Sequence, residues 1–260
     1  MRLLAVAFAA AALASPAQFL HAHQLGDGGF AEAGAPTSPA LTAWASLGVV
    51  AAGAGPGAAL DYLRAHDDES LPPATLALVA LAEAALGDGR LATSLPTEPG
   101  QTNAVIWTIL ARRQAGRTVP KALVRALLDR QSRTGGWGWA KGGAPDSNDT
   151  AAAVQALCSA GVSGAPIRRG LGYLRELRNG DGGFALVRNR ASDAQSTAWT
   201  IQAFLAAGLR PPAGAYAYLA RLRLADGRYR YSTRYAVTPV WVTAQVLPAT
   251  VKMPFPLRRS

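Results

Sequence analysis

Residues 24–30 read QLGDGGF, and two later stretches repeat this pattern of a polar residue, a glycine-rich turn and an aromatic residue. They are QSRTGGW at 131–137 and RNGDGGF at 178–184, and a weaker copy, DGRY, stands at 226–229. Phe30 and Trp137 are 107 residues apart, whereas Phe184 and Tyr229 follow after 47 and 45 residues. A fixed period of this length indicates a repeat architecture, and the wide first interval has room for two degenerate copies.

A second marker fills this interval. Apolar segments end in a glycine at positions 53, 87, 116, 161 and 208, as expected of left-handed helix C-caps. Three of these segments have a tryptophan nine residues before the glycine, and a last segment without the glycine has one at the matching place; these are Trp44, Trp107, Trp199 and Trp241. Amphipathic stretches lie between the apolar segments, at 56–64, 91–95, 120–131, 165–178 and 212–224. The sequence therefore predicts six hairpins, each of one outer and one inner helix.

Such a hairpin cannot bury both faces of its inner helix alone, so neighbouring hairpins must stack. Six hairpins that curl into a closed ring make an all-α (α/α)6 toroid, and an open α-solenoid is the alternative. Half of the 260 residues are apolar and 16% are charged, which excludes a disordered chain and suffices for one core. We expect a single toroid domain over residues 15–260.

The N-terminus has the pattern of a secretory signal peptide. Arg2 precedes a run of twelve apolar residues, and Ala12-Leu13-Ala14 forms an A-x-A cleavage site before Ser15. We expect residues 1–14 to be removed and the remaining chain to be exported, although a buried first helix is the alternative. No apolar run reaches the ~20 residues that span a bilayer, so no transmembrane segment is predicted.

Charge is distributed unevenly along the chain, whose net charge is +10. Residues 1–110 contain three basic and nine acidic side chains, a net charge of −6, whereas residues 111–260 contain 23 basic and seven acidic ones, a net charge of +16. A basic half is typical of a protein that binds an anionic partner. Because export disfavours a nucleic acid, the expected partner is a cell-surface polymer or lipid headgroups. The alternative is an arginine-rich coding bias on solvated outer surfaces.

The loops at 24–30 and 131–137 resemble the QW repeat of the terpene cyclase and protein prenyltransferase superfamily, which includes the squalene–hopene cyclases. This resemblance implies an α/α toroid in which the glutamine and the aromatic residue tie adjacent helices together. Arg178 and Arg223 replace the glutamine in the later copies.

Residues 146–151, DSNDTA, look like the D-x-D-D-T-A motif of squalene–hopene cyclases and class II diterpene cyclases. In those enzymes the middle aspartate is the general acid, and its position here is Asn148, whose amide cannot deliver that proton. Asp146 also fits a helix N-cap, with Asp149 three residues on as in a capping box, and Asp193 with Ser196 repeats the arrangement on the next inner helix. If the chain is a cyclase, Asp149 or Asp193 must be the displaced acid. The same two carboxylates are the pair that a glycan-cleaving toroid would need.

The N-terminal ends of three neighbouring inner helices are expected to gather polar residues at the mouth of the ring: Gln101, Asn103, Asp146, Asn148, Asp149, Asp193 and Gln195. The four tryptophans in register form an aromatic collar if they face inward, and pack between helix layers if they face outward. The sequence therefore favours an exported, non-catalytic toroid that binds a small ligand or a partner at its mouth. An isoprenoid, or a corrinoid as in cobalamin carriers, is the ligand class that the resemblance implies, and a terpene cyclase-type isomerase is the alternative function.

No metal site and no cofactor are predicted. A zinc site of the prenyltransferase type needs three protein ligands. Cys158 lies inside a helix, where we expect a small buried apolar residue, and the histidines are all in the first half of the chain.

Overall fold

The computed structural model describes residues 14–68, 70–98 and 100–257. Six helices form an inner ring: α2 (Pro39–Ala51), α4 (Pro73–Ala85), α6 (Thr102–Gln114), α8 (Ser147–Ser159), α10 (Ala194–Ala206) and α12 (Pro239–Thr250). Six mostly shorter helices form an outer layer: α1 (Pro16–His21), α3 (Ala59–Arg64), α5 (Arg90–Ser94), α7 (Lys121–Asp129), α9 (Ala165–Glu176) and α11 (Ala215–Leu222). A small antiparallel pair, β1 (Phe184–Ala185) and β2 (Ser192–Asp193), sets Phe184 opposite Asp193.

The inner helices close into a ring. Each packs against the next in chain order, and α12 packs against α2. The short α1 contacts both α12 and α2 and so covers the closing seam. The predicted all-α toroid is therefore confirmed, and the open solenoid is wrong.

Local sequence explains the two layers. On α9, Ile167, Leu171 and Leu174 are buried while Arg168 and Arg175 are exposed, as an outer helix with one wet face requires. The inner helices have buried side chains around most of their circumference. The predicted C-cap glycines all have positive φ, as at Gly161, where φ is 85° and a side chain would be strained.

A threonine on each of four inner helices binds the preceding aromatic loop. Its Oγ1 accepts a hydrogen bond of 2.9 Å from a backbone N–H: Phe30 to Thr42, Trp137 to Thr150, Phe184 to Thr197, and Tyr229 to Thr243. Each bond is buried, so it fixes the loop on the inner helix of its own hairpin.

The glutamine of the loop instead binds the next hairpin. Gln24 Nε2 donates to the carbonyl of Pro56, and Gln131 Nε2 donates to that of Pro166, both at 2.9 Å. In the last copy Arg223 Nη2 donates to the carbonyl of Ala14 at 2.8 Å, so this arginine keeps the tie that the glutamine makes elsewhere.

Removing one threonine hydroxyl tests this account. We expect Thr150→Val to lower the free energy of unfolding by about 1–3 kcal/mol, because the isosteric change leaves the buried N–H of Trp137 without its acceptor. Urea denaturation followed by circular dichroism measures this loss. The exposed Thr118→Val is the matched control and should stay within about 0.5 kcal/mol of wild type. Equal effects of both substitutions would contradict the structural role of the tie.

The predicted signal peptide lies outside the described residues except for Ala14. The backbone N–H of Ala14 donates to the carbonyl of Ala225 at 3.1 Å, and Ser15 caps α1 by accepting from Gln18 N at 3.1 Å. Within the part of the chain that the structure describes, no helix combines the length and apolar character needed to cross a bilayer.

Candidate functional site

Three tryptophans, which we call the indole layer, meet in the lumen of the ring. Trp44, Trp107 and Trp199 come from the alternate inner helices α2, α6 and α10 and pack edge to face. Their ring centroids are 5.4 Å apart for Trp44 and Trp107, and 5.6 Å apart for the other two pairs. These tryptophans thus face inward, and because they touch one another they close the lumen instead of lining an open channel.

The segment after α12 fills the lumen below this layer. The Phe255 ring lies 6.3 Å from that of Trp44 and 5.9 Å from that of Trp199, and Phe255 is 2% exposed. Its backbone N–H donates to Gln155 Oε1 at 2.8 Å, and Gln114 Nε2 donates to the carbonyl of Leu257 at 3.0 Å. The lumen is therefore blocked from its middle towards the C-terminal ends of the inner helices.

Above the tryptophans lies a cavity of about 410 Å³, which we call the mouth pocket. Each inner helix contributes one floor residue, namely Trp44, Leu78, Trp107, Ala152, Trp199 and Gln245, and one residue a helical turn earlier, namely Ala40, Ala74, Asn103, Asn148, Gln195 and Trp241. The remaining lining residues are Thr75, Trp139, Asp146, Asp149 and Leu186. Five of the six tryptophans of the chain thus border one cavity.

The expected register of Trp241 is wrong. Trp44 and Trp199 each follow a loop-binding threonine by two residues, and the residue that so follows Thr243 is Gln245. Trp241 stands one turn nearer the mouth, where it lines the wall of the pocket. Counting back from the end of the segment gave the wrong position for Trp241, because α12 lacks the terminal glycine on which the other segments are aligned.

Most of the predicted mouth residues meet in this pocket, but Gln101 and Asp193 do not line it. Gln101 is exposed and precedes α6. Asp193 is buried and caps α10, and both of its carboxylate oxygens accept from Ser196, at 2.7 Å from the backbone N–H and 2.8 Å from Oγ. The structure therefore does not place Asp149 and Asp193 together in one cavity.

Two hydrogen-bonded chains hold the polar groups of the pocket. Trp107 Nε1 donates to Asn103 Oδ1 at 2.7 Å, and Asn103 Nδ2 donates to Asp149 Oδ1 at 2.9 Å. Trp199 Nε1 and Gln195 Nε2 both donate to Gln245 Oε1, at 2.8 and 2.9 Å. Two of the three indoles, those of Trp107 and Trp199, are thus hydrogen-bonded to the polar wall of the pocket.

Burial governs the carboxyl groups of the pocket. It raises the pKa of Asp146 to about 7, and the nearby charge of Asp149 acts in the same direction. Burial also raises the pKa of Asp149. Asp146 Oδ1 accepts from the backbone N–H of Asp149 at 2.8 Å, which makes Asp146 the predicted N-cap of α8. Around neutral pH the two carboxyl groups together therefore retain part of one proton.

Two further residues considered in the sequence analysis are Asn148 and Cys158. Asn148 lines the pocket and accepts from Ser147 Oγ at 3.2 Å. Cys158 is half-buried on α8, and burial raises the pKa of its thiol to about 11. Among the described residues, no three histidine, cysteine, aspartate or glutamate side chains are grouped so that they could hold a metal ion.

Sequence reasoning missed Leu186 and Gln245, whereas it indicated that Trp139 lies at the rim, where it could contact a ligand. Trp139 and Leu186 lie on loops of the next hairpin, whose carbonyls accept from Asn103 N at 3.3 Å and Ser147 N at 2.9 Å. No local pattern reports this contact between hairpins. Gln245 was detectable, because it follows Thr243 by the spacing that separates Trp44 from Thr42.

No family model matches the chain, and no curated protein matches it in sequence. Among solved structures, a protein from Actinoplanes is 18% identical with a TM-score of 0.63, and the match covers 91% of this chain and 97% of the other. The type II terpene cyclase MstE from Scytonema is 16% identical with a TM-score of 0.65, over 91% of this chain and 95% of the enzyme.

Other structures of MstE variants hold geranylgeranyl dihydroxybenzoate as substrate or merosterolic acid A as product. The ent-copalyl diphosphate synthase from Streptomyces platensis is 19% identical with a TM-score of 0.57, and the match covers 82% of this chain but 50% of that enzyme. Identities this low establish the fold alone: the chain has the toroid fold of the type II terpene cyclases.

Proposed function

We propose that this chain is an exported, non-catalytic toroid that binds a small ligand in the mouth pocket. The observation that carries the proposal is the closed lumen, in which Trp44, Trp107, Trp199 and Phe255 occupy the space below the mouth. A cavity of about 410 Å³ is at the lower end of the range for ligand pockets, roughly 300–1,000 Å³. A compact ligand fits such a space, and a short isoprenoid is the first class to test because MstE holds isoprenoid compounds.

The polar groups of the pocket support binding over acid catalysis. An amide, Asn148, stands where the resemblance implies the general acid. Asp146 caps the N-terminus of α8, and Asp149 accepts a hydrogen bond from Asn103. Asp193, the other candidate acid, is turned to Ser196 outside the pocket.

Restoring the aspartate gives a sharp test of this proposal. We expect neither the wild-type protein nor Asn148→Asp to cyclise squalene or geranylgeranyl diphosphate, because the closed lumen excludes an extended chain even when the acid is present. Gas chromatography with mass spectrometry of the extracted products makes the measurement. Cyclised product from the wild type would contradict the non-catalytic function, and product from Asn148→Asp alone would contradict the closed lumen.

Export and ligand binding can be measured on one sample. The full chain is produced in its own host, and the culture fluid is analysed by mass spectrometry under native and denaturing conditions. We expect a protein that begins at Ser15, with a small molecule bound in the native spectrum and released on denaturation. Retention in the cell would contradict export, and an empty native protein would count against a tightly held ligand.

We also propose that the mouth rim, the loops 138–145, 186–191 and 230–238, rests on an anionic lipid surface. These loops contain no acidic residue. They expose the apolar residues Trp139 (58%), Leu186, Tyr235 (60%) and Val237 and the basic residues Lys141, Arg190 and Arg234. Exposed aromatic residues beside basic ones are typical of surfaces that lie at a membrane interface.

Vesicle co-sedimentation tests the mouth rim. We expect binding to phosphatidylglycerol vesicles to exceed binding to phosphatidylcholine vesicles by about tenfold, and to fall steeply at about 0.5 M salt. Trp139→Ala should weaken the binding, whereas Leu209→Ala, which removes an exposed leucine beyond the opposite end of α10, should not. Equal binding to both lipids, or equal loss in both variants, would contradict the proposal.

A further inference from the structure

The charged groups of the mouth pocket have one sign. Asp146 and Asp149 line it, and no lysine, arginine or histidine of the described residues does so. Burial and mutual repulsion disfavour two negative charges at this place, which is why the pKa of Asp146 is raised to about 7. A bound cation would offset both effects.

The aromatic groups of the pocket also favour a cation. The Nε1–H groups of Trp107 and Trp199 donate to Asn103 and Gln245, so these two groups are not available to donate a hydrogen bond to a ligand. An indole ring attracts a cation through its quadrupole, and tryptophan does so best of the aromatic side chains. Five indoles border the pocket.

Carboxylates of the protein already occupy helix N-termini at which an anionic ligand would otherwise bind. The N-termini of α8 and α10 are capped by Asp146 and Asp193. On α12, Glu32 accepts from the backbone N–H groups of Val240 and Trp241 at 3.1 and 2.9 Å. Three of the six helix ends that surround the mouth therefore have acidic partners from the protein itself, which removes the usual attraction for an anionic ligand.

We propose that the mouth pocket binds a compact organic ammonium ion, with its charge beside Asp146 and Asp149 and its alkyl groups against the indoles. This inference rests on the proposed ligand-binding function and names the ligand class. It requires no change in the lumen below the indole layer.

Choline and its uncharged carbon isostere, 3,3-dimethyl-1-butanol, are the matched probes for isothermal titration calorimetry. They share size and shape and differ in the charge. We expect choline to bind at least about tenfold more tightly than the isostere. Asp149→Asn should remove most of this preference by weakening the binding of choline more than the binding of the isostere. Asp129→Asn, which alters an exposed carboxylate on α7 outside the pocket, is the control and should match wild type.

A pH series adds a second readout. Choline affinity should rise between pH 6 and pH 8, because Asp146, with a pKa of about 7, must give up its proton to the buffer before it can face the cation. The titratable groups that interact with Asp146 are Asp149 on the same helix and Tyr173 on α9, whose hydroxyl donates to the carbonyl of Pro145 at 2.6 Å. Tyr173 has its pKa raised to about 12 and stays neutral across this range.

The outcomes separate the ligand class from the proposed function. Equal affinity for choline and its isostere would overturn the cation and leave a small-ligand pocket in place. Binding of the neutral geraniol without binding of choline would do the same. Failure of every probe, together with an empty protein from the host, would contradict both.

Discussion

Trp199→Ala is expected to lower the free energy of unfolding by about 3–5 kcal/mol, the largest effect of any single substitution considered for this chain. Trp199 is 2% exposed and contacts Trp44, Trp107 and Phe255 in the closed lumen. Alanine leaves a cavity at the centre of the ring, and the closed circle of six inner helices limits how far the structure can collapse to fill it. Urea denaturation followed by circular dichroism measures the loss.

The exposed Trp139→Ala is the control for this substitution. It removes the same side chain from the mouth rim and should change the stability by less than about 0.5 kcal/mol. A loss below about 1 kcal/mol for Trp199→Ala would show that the indole layer is loosely packed, and the closed lumen would then be wrong.

Glu83→Gln is expected to remove a pH-dependent loss of stability. Glu83 lies on α4, is 1% exposed, and its Oε1 has no hydrogen-bond partner among the described residues. Burial raises the pKa of Glu83 to about 8, and the charges of Asp67 and Asp88 add to this, while Arg64 and Arg90 oppose it. The side chain is therefore a mostly neutral buried acid at pH 7.

The sign of the pH dependence follows from this raised pKa. Below about pH 4.5 the carboxyl is protonated in both the folded and the unfolded chain, so no penalty arises. As the pH rises from about 4.5 to about 8, the carboxyl ionises in the unfolded chain first, which lowers the free energy of the unfolded state relative to the folded one and so decreases the stability. With allowance for partial screening by solvent, the wild type should lose about 2–3 kcal/mol over this range that Glu83→Gln does not lose.

Thermal unfolding at a series of pH values from 4.5 to 8.5 measures this difference. Asp146 and Asp193, whose pKa values burial also raises, contribute equally to both proteins, so the comparison isolates Glu83. The exposed Glu98→Gln is the control and should follow the wild type. Parallel curves for Glu83→Gln and wild type would show that Glu83 is ionised and solvated in the folded protein.

The fold was predictable because its markers are local. A C-cap glycine, such as Gly161, ends a helix through its own backbone conformation, and a turn such as 131–137 needs its glycines for the same reason. Even the short outer helix α5 falls where the sequence shows a weak amphipathic stretch. Six hairpins predicted a closed ring, with an open solenoid as the alternative, and the contact between α12 and α2 shows the closure.

The filling of the lumen could not be read from the sequence. The shared spacing of Trp44, Trp107 and Trp199 indicated equal height, but whether indoles line a channel or touch across it depends on the ring diameter. Leu78, Ala152 and Gln245 occupy the same level on the other three inner helices, and these smaller residues leave room for three indoles to meet. Phe255 belongs to a segment outside the repeat, so nothing in its sequence placed it beneath them.

The sequence predicted the types of residue at the candidate site better than it predicted which individual residues line the pocket. Asp146 and Asp193 are equivalent in sequence, and both cap an inner helix. They differ because Ser196 engages both oxygens of Asp193, whereas Asn148 and Asp149 follow Asp146.

A crystal structure of the protein with its bound ligand, purified from its own host, tests the central claim most directly. We expect density for a compact molecule in the mouth pocket, between Asp149 and Trp241, above indole rings whose centroids remain 5.4–5.6 Å apart. Density for an extended chain that passes between separated indoles into the space of Phe255 would contradict the closed lumen and restore a cyclase-like channel.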